Sequence, residues 1–388
     1  MMPASLSTPI PAVSSHLSPT IATIHLSALA HNLSELHRFL SPGCEVLAII
    51  KADAYGHGSI RIAETLAQLG ITKFGVATIQ EGAILREAGL RETIIVLGGI
   101  FQWQIRDLLH YQLTPVISDT ETGRLLTQEL SENQSPFPVH IKVDTGMRRL
   151  GFTPEALQNF LNSHLFQGPL ILESLMTHLA DADNADQDFT LHQLEEFQLI
   201  AKQLRSKGIR IPCLHAANTS GIVSYPQSHG DMVRPGLLLY GYLPSVPSAR
   251  PWSLKPVLSL STKVVQIRSV AKGDPLSYNG TYRTTRHSRI GIIPIGYAHG
   301  YNRRLSNRGQ VLIKNKRVPI VGKICMDMTL IDLTDVPDAQ VGEPVVLLGS
   351  QGTERISAVD IASWQDSISY EVLCSIGPRV NRVYEPIS

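Results

Sequence analysis

The residues in this chain that could do chemistry stand where apolar runs stop. Residues 46–50 read as a buried strand, and Lys51 ends it, followed by Ala52-Asp53-Ala54-Tyr55-Gly56-His57-Gly58. A lysine in that place has two readings. It is a solvated surface charge, or it is an amine desolvated by apolar surroundings, lowered in pKa and able to form a Schiff base. Gly56 and Gly58 favour the second, because glycine lets the backbone approach a ligand closely. The pattern recurs. Lys142-Val143-Asp144-Thr145-Gly146-Met147, His178, His215-Ala216-Ala217-Asn218 and Arg234 each end a further apolar run. Each alone has a bland reading as a solvating strand end. Gathered at the carboxyl ends of parallel strands, where α/β proteins place their sites, they form a cationic set suited to carbonyl and anion chemistry.

The elements that position them alternate regularly. Strand-like runs cover 45–51, 74–78, 93–97, 114–117, 139–143, 171–178, 213–217 and 232–234. Helical patterns separate most of them. One runs from Ser59, read as its cap, along Ile62, Ala63, Leu66 and Leu69 to a stop at Gly70. The clearest covers 188–207, with Leu191, Leu194, Phe197, Ile200 and Leu204 on one face and Gly208 at its end. Eight such beats in about two hundred residues predict an α/β fold, a (β/α)8 TIM-type barrel. An open doubly wound sheet is the competing architecture, and no GxGxxG follows the first strand to support its dinucleotide-binding form.

After Tyr242 the texture changes. Pro244, Pro247, Pro251 and Pro256 suggest a crossover between domains. Beyond it, β-rich runs at 258–270, 289–295, 311–313, 318–324 and 345–348 predict a mostly β C-terminal domain. Asn315-Lys316 reads as a hairpin turn, and short helices are expected at 358–364 and 370–375. The expected organisation is a disordered tail over 1–20, a strand at 21–27 joining the C-terminal β domain, a barrel over 28–250 and a β domain over 251–388.

Bulk properties narrow the class. The chain has 388 residues, 43% hydrophobic and 17% charged, which suits a globular protein of two domains. With 34 basic and 33 acidic side chains it carries no nucleic-acid footprint and no polybasic membrane patch. No apolar run approaches a membrane span. Cys44, Cys213, Cys325 and Cys374 are scattered without a CxxC pair, so no metal site is indicated and a reducing, cytoplasmic location is expected.

Several separated motifs together resemble those of alanine racemases, barrel-plus-β enzymes dependent on pyridoxal 5'-phosphate (PLP). They are Lys51-Ala52-Asp53-Ala54-Tyr55-Gly56-His57-Gly58, Lys142-Val143-Asp144-Thr145-Gly146-Met147-Arg148-Arg149-Leu150-Gly151, Thr177-His178, His215-Ala216-Ala217-Asn218, Arg234-Pro235-Gly236, Ser277-Tyr278, Pro294-Ile295-Gly296-Tyr297 and Cys325-Met326-Asp327. The resemblance implies that Lys51 holds the cofactor aldehyde as an imine and handles the α-proton on one face. Tyr278 would be the base on the other face. A phenol titrates near 10, so it needs help to ionise, and the resemblance gives that hydrogen bond to His178. Arg234 would face the pyridine nitrogen and be steadied by His215. A fixed guanidinium charge leaves that nitrogen unprotonated, the cofactor a weaker electron sink, and proton return favoured over transamination. Tyr55, Asn218, Thr219, the amides of Gly236 and Leu237, and Tyr370 match phosphate and nearby cofactor contacts, with threonine at 219 where the family commonly has serine.

The same resemblance assigns substrate contacts to Arg149, the Met326 amide, Tyr297 and Asp327, and makes Lys142 a candidate carbamate beside Arg149. Arg303 and Asp183 resemble residues of the entry corridor. Tyr278, Tyr297 and Met326 fall in the β domain, so a homodimer with shared active sites is implied. His299 and Lys323 depart from the family pattern, which bears on substrate preference and entry rather than reaction type. The implied activity is interconversion of L- and D-alanine, supplying D-alanine for peptidoglycan. A serine or broad-specificity racemase is the near alternative. A PLP amino-acid decarboxylase is more distant: its glycine-triplet phosphate motif and late Cys-Glu-Ser-type site are missing, since Met and Asp follow Cys325.

Overall fold

A computed structural model describes residues 18–130, 136–166, 168–244 and 250–387. Its described residues divide into two compact units, one within 26–257 with 386 and 387, the other within 18–25 and 258–385. The chain begins with β1 (Ile21–His25), part of the second unit, and enters the first through α1 (Leu26–Phe39). Then follow β2 (Glu45–Ile49), a short segment α2 (Lys51–Gly56), α3 (Ser59–Gln68), β3 (Lys73–Val76), α4 (Ile79–Glu87), β4 (Thr93–Val96), α5 (Ile105–His110), β5 (Thr114–Ile117) and α6 (Thr120–Glu129). The unit continues with β6 (Phe137–Lys142), α7 (Pro154–Asn162), β7 (Leu170–Met176), α8 (Asp188–Ser206), β8 (Cys213–His215), α9 (Thr219–Ser224) and β9 (Met232–Val233).

The strands form one parallel sheet in the order β8-β7-β6-β5-β4-β3-β2-β9, a nearly closed eight-stranded barrel. Its strands are buried apolar runs such as Leu47-Ala48-Ile49 and Ile94-Ile95-Val96, as a sheet covered on both faces requires. Between β8 and β9 the closure is made by single bonds. Asp231 N–H donates to Leu214 O at 2.9 Å, and Arg234 N–H donates to Ala217 O at 2.9 Å. The Asp231 carboxylate accepts from Leu214 N–H at 2.8 Å.

The second unit holds β10 (Leu258–Lys263), β11 (Gln266–Val270), β12 (Pro275–Leu276), β13 (Tyr282–Arg283), β14 (Ser288–Ile293), β15 (Gln310–Ile313), β16 (Lys316–Pro319), β17 (Thr329–Asp332), β18 (Pro344–Gln351), β19 (Glu354–Ile356), α10 (Ala358–Gln365), α11 (Ser369–Cys374) and β20 (Asn381–Glu385). Its main sheet runs β16-β15-β18-β10-β1-β20, with β19 on β18. β1 lies antiparallel to β10 and parallel to β20, and its alternation buries Ala22 and Ile24. A three-stranded sheet β11-β14-β17 and the hairpin β12-β13 complete it.

Several local expectations need correction. The tail expected over 1–20 lies outside the described residues as far as 17, and it stops short of 20. Thr20 is buried, with its hydroxyl 2.8 Å from that of Thr262 and donating to Pro294 O at 3.1 Å. The crossover prolines do not open the β unit, and Pro247 lies outside the described residues. Residues 251–257 group with the barrel, where Trp252 packs on Phe39 at 4.4 Å between ring centroids. Ser59 is not a cap. It is the first residue of α3, and its N–H donates to Asp53 Oδ1 at 2.7 Å. The hairpin turn is Lys314-Asn315, both at positive φ, so Lys316 already pairs with Ile313.

The least expected element is α2. Ala52, Asp53, Ala54 and Tyr55 all have φ between 52° and 54°, a left-handed turn without a glycine. For L-residues this costs roughly 1–2 kcal/mol each. Offsetting bonds surround it. Ala52 N–H donates to Glu81 Oε1 at 2.7 Å, and Ala54 N–H donates to Ile50 O at 2.9 Å. The Tyr55 ring lies 4.8 Å from that of Tyr240, whose hydroxyl donates to Ile49 O. Ala52→Gly should therefore raise the unfolding free energy by roughly 0.5–1 kcal/mol, the relieved strain less the added chain entropy of glycine. Denaturant unfolding of the two chains checks this, and a loss of stability would contradict the strain reading.

Candidate active site

The barrel strands deliver their polar residues to one end. Lys51 opens the left-handed turn just past β2, Lys142 is the last residue of β6, His178 follows β7, His215 ends β8 and Arg234 follows β9. Lys51 is exposed in this chain. The others are more enclosed. Lys142, His215 and Arg234 are buried, and His178 is half-buried.

Arg234 is the hub. Its Nη1 donates to His215 O at 3.0 Å and to His215 Nδ1 at 2.9 Å. Its Nη2 donates to Thr177 O at 2.7 Å and Ala216 O at 2.8 Å, and meets His178 Nδ1 at 3.4 Å. Burial pushes the guanidinium down to about 10, which still leaves it charged near neutrality. A guanidinium only donates. His215 must therefore accept at Nδ1, and in its neutral ring the proton then sits on Nε2; His178 Nδ1 is a longer, third neighbour of Nη2, whose two hydrogens already serve Thr177 O and Ala216 O. Burial, and after it the Arg234 charge, holds both imidazoles well below their usual range.

The His215 proton meets His140 Nδ1 at 3.3 Å, and His140 Nε2 faces the Glu173 carboxylate at 3.6 Å. The nearby His140 ring holds that carboxyl below the usual range. Sequence reading missed His140 and Glu173. The signal was present, since the period of two puts His140 on the same face of β6 as Lys142. It named Thr177 and Ala216 within motifs but gave them no role, because they act through backbone carbonyls that no side-chain pattern reveals.

Burial, followed by the charges of Arg149 and Arg234, pushes Lys142 down to about 8. Arg149 itself is exposed. On the opposite flank, Thr219 Oγ1 accepts from Gly236 N–H at 3.1 Å and Leu238 N–H at 3.4 Å. Asn218 caps α9, its Oδ1 accepting from Gly221 N–H at 2.9 Å. A Cβ at Gly236 would fall 2.4 Å from the buried Tyr55 hydroxyl. Tyr55, Asn218, Thr219 and Gly236 form a tight hydroxyl- and amide-lined corner.

The β unit assembles a second set. Tyr278 follows Ser277, whose hydroxyl donates to Lys323 O at 2.7 Å and lies 3.7 Å from Cys325 Sγ. Tyr297 N–H donates to Cys325 O, and Ala298 N–H donates to Met326 O, both at 3.1 Å. Gly296 permits this contact, since a Cβ there would meet Cys325 O at 2.1 Å. The structure thus knits the loops of Tyr278, Tyr297 and Met326 together, with all three side chains exposed. Asp327 pairs with Arg379 at 2.6 Å. Tyr370 is half-buried on α11. His299 turns inward, its Nδ1 accepting from Gly296 N–H at 3.3 Å.

Comparison with known proteins places these two sets in one family. Residues 24–244 match the model of the alanine racemase N-terminal domain, and residues 257–384 that of the C-terminal domain. The chain belongs to the alanine racemase family. It is 42% identical over 367 residues to an alanine racemase of Halothermothrix orenii, covering 95% of this chain and 97% of that protein. Among solved structures it resembles the Bartonella henselae alanine racemase with covalently bound pyridoxal phosphate, at 30% identity and TM-score 0.85, covering 94% of this chain and 99% of the other. It also resembles the Bacillus anthracis alanine racemase with bound L-Ala-P, at 33% identity and TM-score 0.88, covering 95% of both chains. The barrel followed by a mostly β unit is the architecture of the family. Among the described residues no helix is long and apolar enough to cross a membrane.

The Lys142 environment gives a test free of any ligand. Between about 8 in the folded chain and the ordinary lysine value near 10.4, the unfolded state binds the extra proton. Stability should then rise with pH across that window. In carbon-dioxide-free buffer, unfolding curves of the wild type should gain stability from pH 8 to 10 relative to Lys142→Met. Parallel pH dependences would show that Lys142 titrates normally.

Proposed function

We propose that this chain is a PLP-dependent alanine racemase that interconverts L- and D-alanine by two bases and acts as a homodimer. The observation that carries the reading is the buried, permanently charged Arg234 among neutral histidines, on the same barrel end as Lys51. The residues present fit the cofactor. The corner of Tyr55, Asn218, Thr219, Gly236 and Leu237 offers hydroxyls and amides without bulk, as a phosphate ester needs, and any larger residue at 236 would fill it. The Arg234 guanidinium supplies a fixed positive charge for a pyridine nitrogen.

When bound, the cofactor supplies an aldehyde for Lys51 and a moderate electron sink for the α-carbon. The protein does the rest. Lys51 Nζ takes or returns the α-proton on one face, and the Tyr278 phenolic oxygen does so on the other. His178, whose Nδ1 lies 3.4 Å from Arg234 Nη2, would offer Nε2–H as the donor that stabilises a phenolate. Arg234 would face the pyridine nitrogen with its positive charge and leave that nitrogen unprotonated, which would moderate the electron sink and favour proton return over transamination. Arg149 and the Met326 amide orient the substrate carboxylate, while Tyr297, Tyr370 and Asp327 shape and support the entrance for a methyl side chain. A buried amine lowered to about 8 is partly neutral at physiological pH, the state that adds carbon dioxide. Lys142 is accordingly proposed as a carbamate that turns toward Arg149. The expected setting is the reducing cytoplasm, with D-alanine passing to peptidoglycan synthesis.

Two tests follow. Lys51→Ala and Tyr278→Phe should each lower alanine racemisation by about 10²–10⁴-fold in a chiral assay, with Tyr278→Phe still binding cofactor. Mixing the two inactive chains should regenerate activity, because one mixed dimer then holds one intact site. No recovery on mixing would contradict shared sites, and a higher efficiency on serine would reassign the substrate. For Lys142, intact-site mass spectrometry and acid-released carbon dioxide should reveal the carbamate; unmodified lysine removes it.

A further inference from the structure

Glu81 makes two more contacts than its helix requires. It is the third residue of α4 and forms a capping box with Thr78, whose hydroxyl accepts from Glu81 N–H at 3.2 Å. Such a box needs one carboxylate oxygen on the cap N–H. Here Oε2 accepts from Ala77 N–H at 2.7 Å and Thr78 N–H at 3.3 Å. Oε1 turns away from the helix and accepts from Ala52 N–H at 2.7 Å. That N–H lies in the peptide joining Lys51 to the first residue of the left-handed turn. Fixing that peptide plane fixes the backbone frame from which the Lys51 side chain departs. The far end of the turn is tied by Asp53, which accepts from Ser59 N–H. The near end is tied to β3, through Ile50 N–H donating to Gly75 O at 3.0 Å.

We propose that Glu81 is a positioning residue for Lys51. One carboxylate couples the start of α4 to the lysine-bearing turn and sets the direction from which the amine reaches the substrate carbon. The inference rests on the reading of Lys51 as the cofactor-bearing base. Glu81 touches no reacting atom.

The test compares holoenzymes of Glu81→Ala, Glu81→Asp and Thr78→Ala. Thr78→Ala weakens the same helix cap but leaves the Ala52 bond, so it reports the structural role alone. Glu81→Asp keeps a carboxylate at the helix start and withdraws it from Ala52, and it serves if Glu81→Ala does not fold. Both Glu81 variants should lower kcat for alanine by about 10–100-fold with little change in KM, as expected for a misplaced reacting group. They should also shift the pH midpoint of the visible band of the Lys51–cofactor link and change its rate of reduction by borohydride. Thr78→Ala should lose thermal stability while keeping kcat, band and reduction rate. The proposal is overturned if the Glu81 variants keep wild-type kcat and spectrum, or if Thr78→Ala shifts them equally. Borohydride labelling of another lysine in the wild type would instead overturn the assignment of Lys51, whatever the Glu81 variants do.

Discussion

A guanidinium enclosed within the barrel is the constraint on which the rest of the first unit depends. Removing a cation from water costs several kcal/mol unless fixed acceptors replace the solvent. Arg234 finds them in the carbonyls of Thr177, His215 and Ala216, which lie just where β7 and β8 stop. These carbonyls converge on the guanidinium, and His215 O also accepts from Thr177 N–H at 3.2 Å, so the strand ends themselves make the acceptor ring. The backbone of the same residue closes the barrel through its N–H to Ala217. Closure of the sheet and placement of the charge are one structural event. Around that charge, His178 and His215 stay neutral and Lys142 loses affinity for its proton.

The two units divide the chemistry by type. The barrel unit concentrates cations and hydroxyl donors on buried or half-buried positions, which suits holding an anionic cofactor in one orientation. The β unit carries Tyr278, Tyr297 and Met326 on exposed loops that are tied to each other by backbone bonds. Rigid loops with exposed tips present side chains outward without being set by the hydrophobic core. Such an arrangement suits groups whose work is done on something other than their own unit.

Much of the fold was legible because apolar runs and their breaks are a burial signal. Strand ends at Lys142, His178 and Arg234 read correctly to within two residues, as did the long helix closed by Gly208. Motif resemblance supplied the loops of the β unit, where periodicity says little. What stayed hidden depended on backbone conformation or on contacts distant in sequence. Ala-Asp-Ala-Tyr gives no sign of a left-handed turn, because no glycine marks it and the offsetting bond comes from Glu81, 29 residues on. Ser59 looked like a cap because serine commonly is one, but Asp53 takes that work from outside the helix. Thr20 looked like the end of a polar tail, yet its two partners lie in distant strand and loop backbone.

The account stands most directly on the proton positions around Arg234. Nitrogen NMR of histidine-labelled protein reports them, with His178→Gln and His215→Gln variants assigning the signals. The prediction is that both rings are neutral at neutral pH, with His215 the Nε2–H tautomer whose Nδ1 accepts from Arg234. An imidazolium at either ring, or a proton on Nδ1 of His215, would contradict it, since the Arg234 guanidinium would then face a second cation or a donor.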